Sequence, residues 1–272
     1  MTRLSTKTLT MAFAIIVAPS AAFAQSSSNP VLHLTNRWKE CSIQLDPSLS
    51  KGAWRQFTQE AGLVAYFRPL TDARPMGKGK FELSALQWQT AIDDHQPAWN
   101  DTFVHPNSTH WLTEESGLAF PGLTLRAGVT DRIDVGGYFT KNPDANYGFY
   151  GGQVQFSLAG NRSSDWAAAA RVSAVSLYGP DDVNLSVYGV DLLTSKDYTL
   201  SPRWLTISPY AGVSTYMSSS HEKSAVVSLS DEHVVGAQAM VGAVAKVSVL
   251  RIGMEYNTAK VHSRSLKIGV AF

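Results

Sequence analysis

Three observations predict an all-β protein, a closed antiparallel transmembrane β-barrel over about 61–272. They are period-two alternation, runs of about 9–14 residues, and connections that alternate short and long. Strands of soluble proteins average about 5–6 residues, whereas a tilted strand crossing a bilayer needs about 9–11. The short connections are Thr130-Asp131, 160–164 and 246–248; the long ones are 92–120 and 218–232. Membrane barrels have short periplasmic turns and longer outer loops. With the C-terminus on the periplasmic side, counting strands backwards puts both long segments outside.

The first element is an address rather than part of the fold. Arg3 and Lys7 precede an apolar run, Leu9 to Ala18, and Ala22-Phe23-Ala24 forms a small-x-small cleavage site. This is the pattern of a secretory signal peptide over 1–24, and the run is too short for a membrane helix. Residues 25–60 follow as an expected periplasmic N-terminal segment. Within it, Asp46-Pro47 reads as a helix start. The helix-like stretch is expected to run to Glu60, with Leu49, Ala53, Phe57 and Ala61 recurring every fourth residue and Trp54 alongside. Such an amphipathic helix can plug the lumen or cap the barrel's lower rim.

The strands come next. Stretches 61–69 and 80–91 read as the first two. From Pro121, Leu123, Leu125, Ala127 and Val129 share one face, and Thr124, Arg126 and Gly128 the other. After the turn, Ile133, Val135, Gly137 and Phe139 oppose Arg132, Asp134, Gly136 and Tyr138. Tyr150 to Leu158, Leu205 to Val213, Leu250 to Tyr256 and Leu266 to Phe272 repeat the pattern; 165–178, 183–194 and 233–246 are noisier. These make eleven spans. Bacterial single-chain barrels hold an even number, so a strand within 31–45 would bring the count to 12, with 10 the next best number.

The apolar face decides between a soluble and a membrane barrel. Ala167 to Ala170, Ala237, Ala239, Ala243 and Ala245 are too small to fill a soluble core, but cost little against lipid. The opposite face carries Arg126, Arg132, Asp134, Arg171, Arg251, Glu255 and Lys267 among Gly, Ser and Thr. These are the candidate lumen or pore residues, because charged linings set selectivity through field and size. Phe139, Tyr147, Phe149, Trp166, Tyr178, Trp204, Tyr216 and Tyr256 lie near strand ends, where interfacial girdles form.

The closing run Ser265-Leu266-Lys267-Ile268-Gly269-Val270-Ala271-Phe272 resembles the C-terminal signature of Gram-negative outer-membrane β-barrel proteins. The resemblance implies that Leu266, Ile268, Val270 and Phe272 are read by barrel-assembly machinery, and that outer-membrane lipid surrounds the fold. The segment from Gly128 to Gly136 resembles the periplasmic hairpins of an uncharacterised group of outer-membrane proteins of this size. Segments 142–148 and 209–213 look similar to stretches in the same group. The resemblance extends over about 61–272, implies fold and location, and carries no catalytic residues.

Composition excludes other classes. Lys+Arg total 23 against 22 Asp+Glu, so there is no basic excess for nucleic acid. A single Cys excludes an intramolecular disulfide framework. His95, His105 and His110 share one loop with Asp93, Asp94 and Asp101. Imidazole and carboxylate can hold a divalent metal, but these spacings fit no standard motif, so no metal and no cofactor is expected. His262 and Ser263 are adjacent on a strand and therefore face opposite sides, which defeats a Ser–His nucleophile. No enzyme is expected. The function read from the sequence is a narrow channel or uptake protein for small polar solutes. The alternative is a non-conducting structural or surface-binding barrel acting through loops 92–120 and 218–232.

Overall fold

The computed structural model describes residues 41–272 except 69, 105–111, 114–116, 142–144, 161–163 and 201–203. The expected signal peptide and residues 25–40 lie outside the described residues. In chain order the elements are β1 (Ser42–Ile43), α1 (Lys51–Ala65), β2 (Phe81–Thr90), α2 (Pro97–Asn100), β3 (Phe103–Val104) and β4 (Leu112–Thr113). There follow β5 (Gly117–Gly128), β6 (Ile133–Lys141), β7 (Gly148–Ala159), β8 (Trp166–Tyr178), β9 (Val183–Lys196) and β10 (Tyr198–Leu200). The last are β11 (Leu205–Glu222), β12 (Glu232–Val247), β13 (Leu250–Thr258) and β14 (Ser263–Ala271).

Ten strands close the barrel. Strands β5, β6, β7, β8 and β9 pair antiparallel in succession, β9 pairs with β11, β11 to β14 continue the ring, β14 returns to β2, and β2 pairs with β5. The seam runs from Ser263↔Thr90 to Ala271↔Glu82. Beyond it, Phe81 and Phe272 exchange both backbone hydrogen bonds, at 3.0 and 2.8 Å. Two short strands belong to the sheet without widening the ring: β10 continues beside β11 after Asp197, and β4 pairs with the start of β5. The expected 12 strands are therefore corrected to ten. Stretch 61–69 is no strand, since α1 runs through to Ala65. Ser42–Ile43 pairs with Phe103–Val104 in a separate ladder.

Polarity is inverted relative to a soluble protein, as expected of a lipid-facing barrel. The outer wall exposes Leu123, Leu125, Val135, Val190, Leu192, Val213, Val241, Met254, Leu266 and Ile268, while Arg126, Asp134, Arg171 and Lys267 are buried inside. On β11 the outward row stays apolar or small from Ile207 to Met217 and turns polar at Ser219 and His221. Ten residue-to-residue steps of about 3.3 Å, tilted by about 40°, give an apolar height of about 25 Å, the thickness of an outer-membrane band. Phe81, Phe156, Trp166, Tyr198, Trp204 and Phe272 rim one end of this band, and Phe139, Tyr150, Tyr188 and Tyr256 the other. Of the expected girdle, Tyr147, Phe149 and Tyr216 instead turn inwards and are buried.

The helix begins later than its sequence cue. Asp46 accepts hydrogen bonds from the backbone and hydroxyl of Ser48, forming a local turn. Ser50 is the true N-cap, accepting from the Ala53 amide at 3.2 Å. The helix passes Glu60 because its last turn, Ala61 to Ala65, is buried on every side. Arg68 folds back and donates to the carbonyls of Leu63, Val64 and Tyr66, satisfying groups that a helix end leaves orphaned. This helix is not a cap on the rim near Phe272. It enters from the opposite face, where β1 pairs with β3, and lies within the barrel.

Candidate functional site: a lumen filled by the N-terminal segment

The lumen has an aromatic half and a charged half. Towards the long loops, Trp54 and Phe57 of α1 pack with Trp99 and Phe103 from the connection after β2. Phe120, Tyr147 and Phe149 extend the cluster along the wall. Indole groups tie the helix down at three points. Trp54 donates to the Ser230 carbonyl (3.2 Å), Trp99 to the Glu60 carboxylate (2.6 Å) and Trp88 to the Val64 carbonyl (2.9 Å). Tyr138 donates to the Ala65 carbonyl at 2.7 Å. Gly62 allows a close approach to the wall, since a Cβ there would stand 2.5 Å from the Ser218 Cβ.

Below α1 the chain continues through the lumen and is gripped by charge. The Tyr66 hydroxyl donates to Asp191 at 2.6 Å, and Arg171 meets the same carboxylate at 2.7 Å. Gly189 leaves room for the Tyr66 ring, where any Cβ would fall 2.5 Å from the phenol oxygen. Arg126 reaches Asp134 at 2.5 Å and also donates to Thr71. Lys246 bridges Asp72 and Asp197, and Arg74 pairs with Asp197 at 2.9 Å. The Met76 amide donates to Asp134 at 3.0 Å. Lys267 pairs with Glu82 at 2.6 Å across the β14–β2 seam, and Tyr210 donates to Glu255 at 2.7 Å. A charge taken from water is costly unless it is paired and hydrogen-bonded, and these pairs supply that compensation.

Five of the seven candidate lumen residues face inwards: Arg126, Asp134, Arg171, Glu255 and Lys267. The other two are corrected. Arg132 lies exposed in the turn between β5 and β6, ahead of the first paired residue, so alternation does not apply to it. Arg251, at the start of β13, is partly exposed at the rim, with its guanidinium on the carbonyls of Ser248 and Leu250. Asp191, the hub of the site, escaped the sequence reading. It stands directly opposite Arg171 in the β8–β9 register. Its strand also turns Val183, Leu185, Val187 and Leu193 inwards against the plug, which hid the polar face of β9.

The remaining candidates are dispersed. Leu266, Ile268 and Phe272 point outwards with Val270 partly covered, and the Phe272 ring lies 5.2 Å from that of Phe81. His95 is exposed, 4.0 Å from Asp94, while His105 and His110 lie outside the described residues. Among the described residues no three His, Cys, Asp or Glu side chains converge as metal ligands. His262 stacks outside on Tyr256, while Ser263 faces inwards to Thr90 and Arg68. A groove of about 470 Å³ lies on the outer wall, bounded by Val190, Leu192, Val213, Ala237, Ala239 and Thr258.

A closed ten-strand barrel, apolar outside, charged within and occupied by its own N-terminal helix, has the fold of the outer-membrane β-barrel class. Similar solved structures are bacterial barrels of that class. The N-terminal barrel domain of Pseudomonas aeruginosa OprF is 11% identical, covers 72% of this chain and 100% of its own, and has a TM-score of 0.30. The β domain of the Bordetella autotransporter BrkA is 11% identical with the same coverage and a TM-score of 0.38. LpxR from Salmonella typhimurium is 14% identical, covers 71% of this chain and 99% of its own, and has a TM-score of 0.34. Likenesses this distant say nothing about activity. No protein-family model and no curated protein matches the chain.

Proposed function

We propose that the protein is a plugged outer-membrane barrel that does not conduct in its folded state and acts through its loop face. The observation that carries this reading is the occupied lumen. Helix α1 and residues 66–68 and 70–80 run through it, held by Tyr66–Asp191, Asp72–Lys246, Arg74–Asp197 and Met76–Asp134. A ten-strand barrel is narrow, because diameter grows with strand number, and a helix with its side chains is about 10–12 Å across. Residues 91–104, which pack Trp99 and Phe103 onto the plug, and hairpin loop 223–231 are the working surface in this reading. Export through the leader 1–24 and recognition of Leu266, Ile268, Val270 and Phe272 by assembly machinery complete the proposal.

The competing reading, a channel for small polar solutes lined by Arg126, Arg171 and Lys267, requires the plug to leave. Single-channel recording of the refolded mature chain in a planar bilayer separates the two. A silent membrane is expected. Discrete steps from the intact chain, altered by Arg171→Ala, would overturn the plugged reading in favour of the channel.

A further inference from the structure

The apolar outer wall is not equally tall all round. On β11 its row runs from Ile207 to Met217, and on β12 it is unbroken from Val247 to Val235, below His233. At the β14–β2 seam it stops early. Starting from the Phe272–Phe81 rim, the row ends at Leu266 on β14 and at Ala85 on β2. At about 3.3 Å per step and a tilt of about 40°, these rows reach about 15 and 10 Å, against about 25 Å on β11. Polar side chains then take over the outward positions: Arg264 on β14, Gln87 and Gln89 on β2. Arg264 lies opposite Tyr256 on one side and Gln89 on the other, and Gln87 lies opposite Leu266. His262, stacked on Tyr256, and the exposed Thr258 border this patch.

Lys141, Lys196 and Arg264 are the cations at outward positions of the described strands. The first two are held by the protein itself. Lys141 donates to the Ala145 carbonyl at 3.0 Å and lies 5.8 Å from the centre of the Tyr178 ring. Lys196 lies over the rings of Trp166 and Tyr198, at 5.2 and 5.1 Å. Arg264 is exposed and has no ion pair or hydrogen bond among the described residues. A charge placed against hydrocarbon calls for a partner. No carboxylate on this side of the wall supplies one, since Glu82 of β2 and Glu255 of β13 turn inwards. Asp93, beyond the end of β2, instead accepts from the His95 amide and the Gln96 side chain. A second copy docked seam to seam would add a second unmatched arginine, so the charge of the patch fits an anion and not itself.

We infer that the loop-side half of the β13–β14–β2 wall binds the head group of an anionic, phosphate-bearing lipid, with Arg264 as its anchor. The planar guanidinium donates two parallel N–H bonds to one phosphate, and its long stem lets the charge reach upwards out of the apolar band. The amides of Gln87 and Gln89 add neutral donors beside it. A bilayer meets a short apolar span by thinning locally, so the head group settles deeper here than beside β11. Its acyl chains then lie against Met254, Leu266 and Ile268, all exposed on the outer wall. With the longer loops outside, the lipid belongs to the outer leaflet. The site is on the outer wall and does not depend on whether the lumen conducts.

Quenching by brominated lipids tests it, on protein extracted from outer membranes and reconstituted into phosphatidylcholine vesicles. A fluorophore on Thr258→Cys reports on the patch, and one on Ala174→Cys, exposed on β8, reports on the wall elsewhere. The native Cys41 is buried, and the unsubstituted chain gives its background. A minor share of brominated phosphatidic acid should quench the Thr258→Cys probe about two- to fivefold more than the same share of brominated phosphatidylcholine, the worth of an exposed ion pair. The two lipids should quench the Ala174→Cys probe equally. Adding Arg264→Gln, a change on the exposed surface, should remove the excess at Thr258→Cys. Equal quenching by the two lipids at Thr258→Cys, the same excess at Ala174→Cys, or an excess that survives Arg264→Gln overturns the inference. So does an excess erased by inorganic phosphate in the buffer, which would assign the site to a free anion. A dimer that Arg264→Gln dissociates would assign the patch to a second copy and overturn it as well.

Discussion

Asp191 is the place where a filled lumen and a wet pore make different numerical predictions. Its carboxylate is fully buried and Arg171 is 1% exposed, with Nε and Oδ2 2.7 Å apart. At an effective dielectric of about 20, charges about 4 Å apart attract by about 4 kcal/mol. Removing one partner of a buried pair costs about 3–5 kcal/mol, because the other charge stays buried and unmatched. Asp191→Ala also strands the hydroxyls of Tyr66 and Ser214. We expect Asp191→Ala to lower the stability of the refolded barrel by about 3–5 kcal/mol in equilibrium urea titrations in micelles, followed by tryptophan fluorescence. Tyr66→Phe, which loses one hydrogen bond to a charge, should cost about 1.5–3 kcal/mol. Arg171→Ala combined with Asp191→Ala should cost much less than the sum of the single changes. In an open, water-filled lumen Arg171 would be rehydrated, and the pair would fall to the about 0–1 kcal/mol of an exposed one. A loss in that range with additive single effects would refute the reasoning.

The other predictions concern the plug, the wall and the seam. Gly189→Val sets a side chain against the Tyr66 ring and should expose the chain beside Tyr66 to protease; no change in cleavage would show that Tyr66 does not anchor the plug. Arg126→Ala should destabilise the barrel by about 3–5 kcal/mol, whereas the exposed Arg132→Ala should stay within about 0.5 kcal/mol; equal losses in thermal melts would place Arg132 in the lumen after all. Phe272→Ala should reduce the heat-modifiable barrel in outer-membrane fractions while the protein refolded in detergent keeps most of its stability. Undiminished outer-membrane levels would remove Phe272 from the assembly signal.

How much was legible differs along the chain. On β5, β6, β13 and β14 one face meets lipid and the other polar plug or solvent, so alternation was clean and Arg126, Asp134, Glu255 and Lys267 could be placed inside. On β8 and β9 both faces carry apolar residues, because Val175, Val183, Leu185 and Val187 pack against the N-terminal segment. Period two fades there, and Asp191 fades with it. Arg132 was misplaced because alternation was carried past the paired part of the strand, whereas Arg251 is paired but stands at its strand's rim end, with its guanidinium on the carbonyls of Ser248 and Leu250. Ala61 to Ala65 imitates a strand for a related reason: a helix buried on all sides shows no polar stripe to reveal its period.

The sequence by itself determined a membrane barrel, its apolar outer row, its closing aromatic and the short and long sides of its connections, because each follows from the local alternation of side chains against lipid. The tertiary structure alone decided that ten strands close the ring, that the N-terminal helix fills the lumen, and that Arg171 finds Asp191 and Tyr66 finds the same carboxylate. Those outcomes depend on contacts between residues 20 to 125 positions apart. They are set by the width of the closed ring and the volume of the segment inside it, which no local pattern of residues encodes.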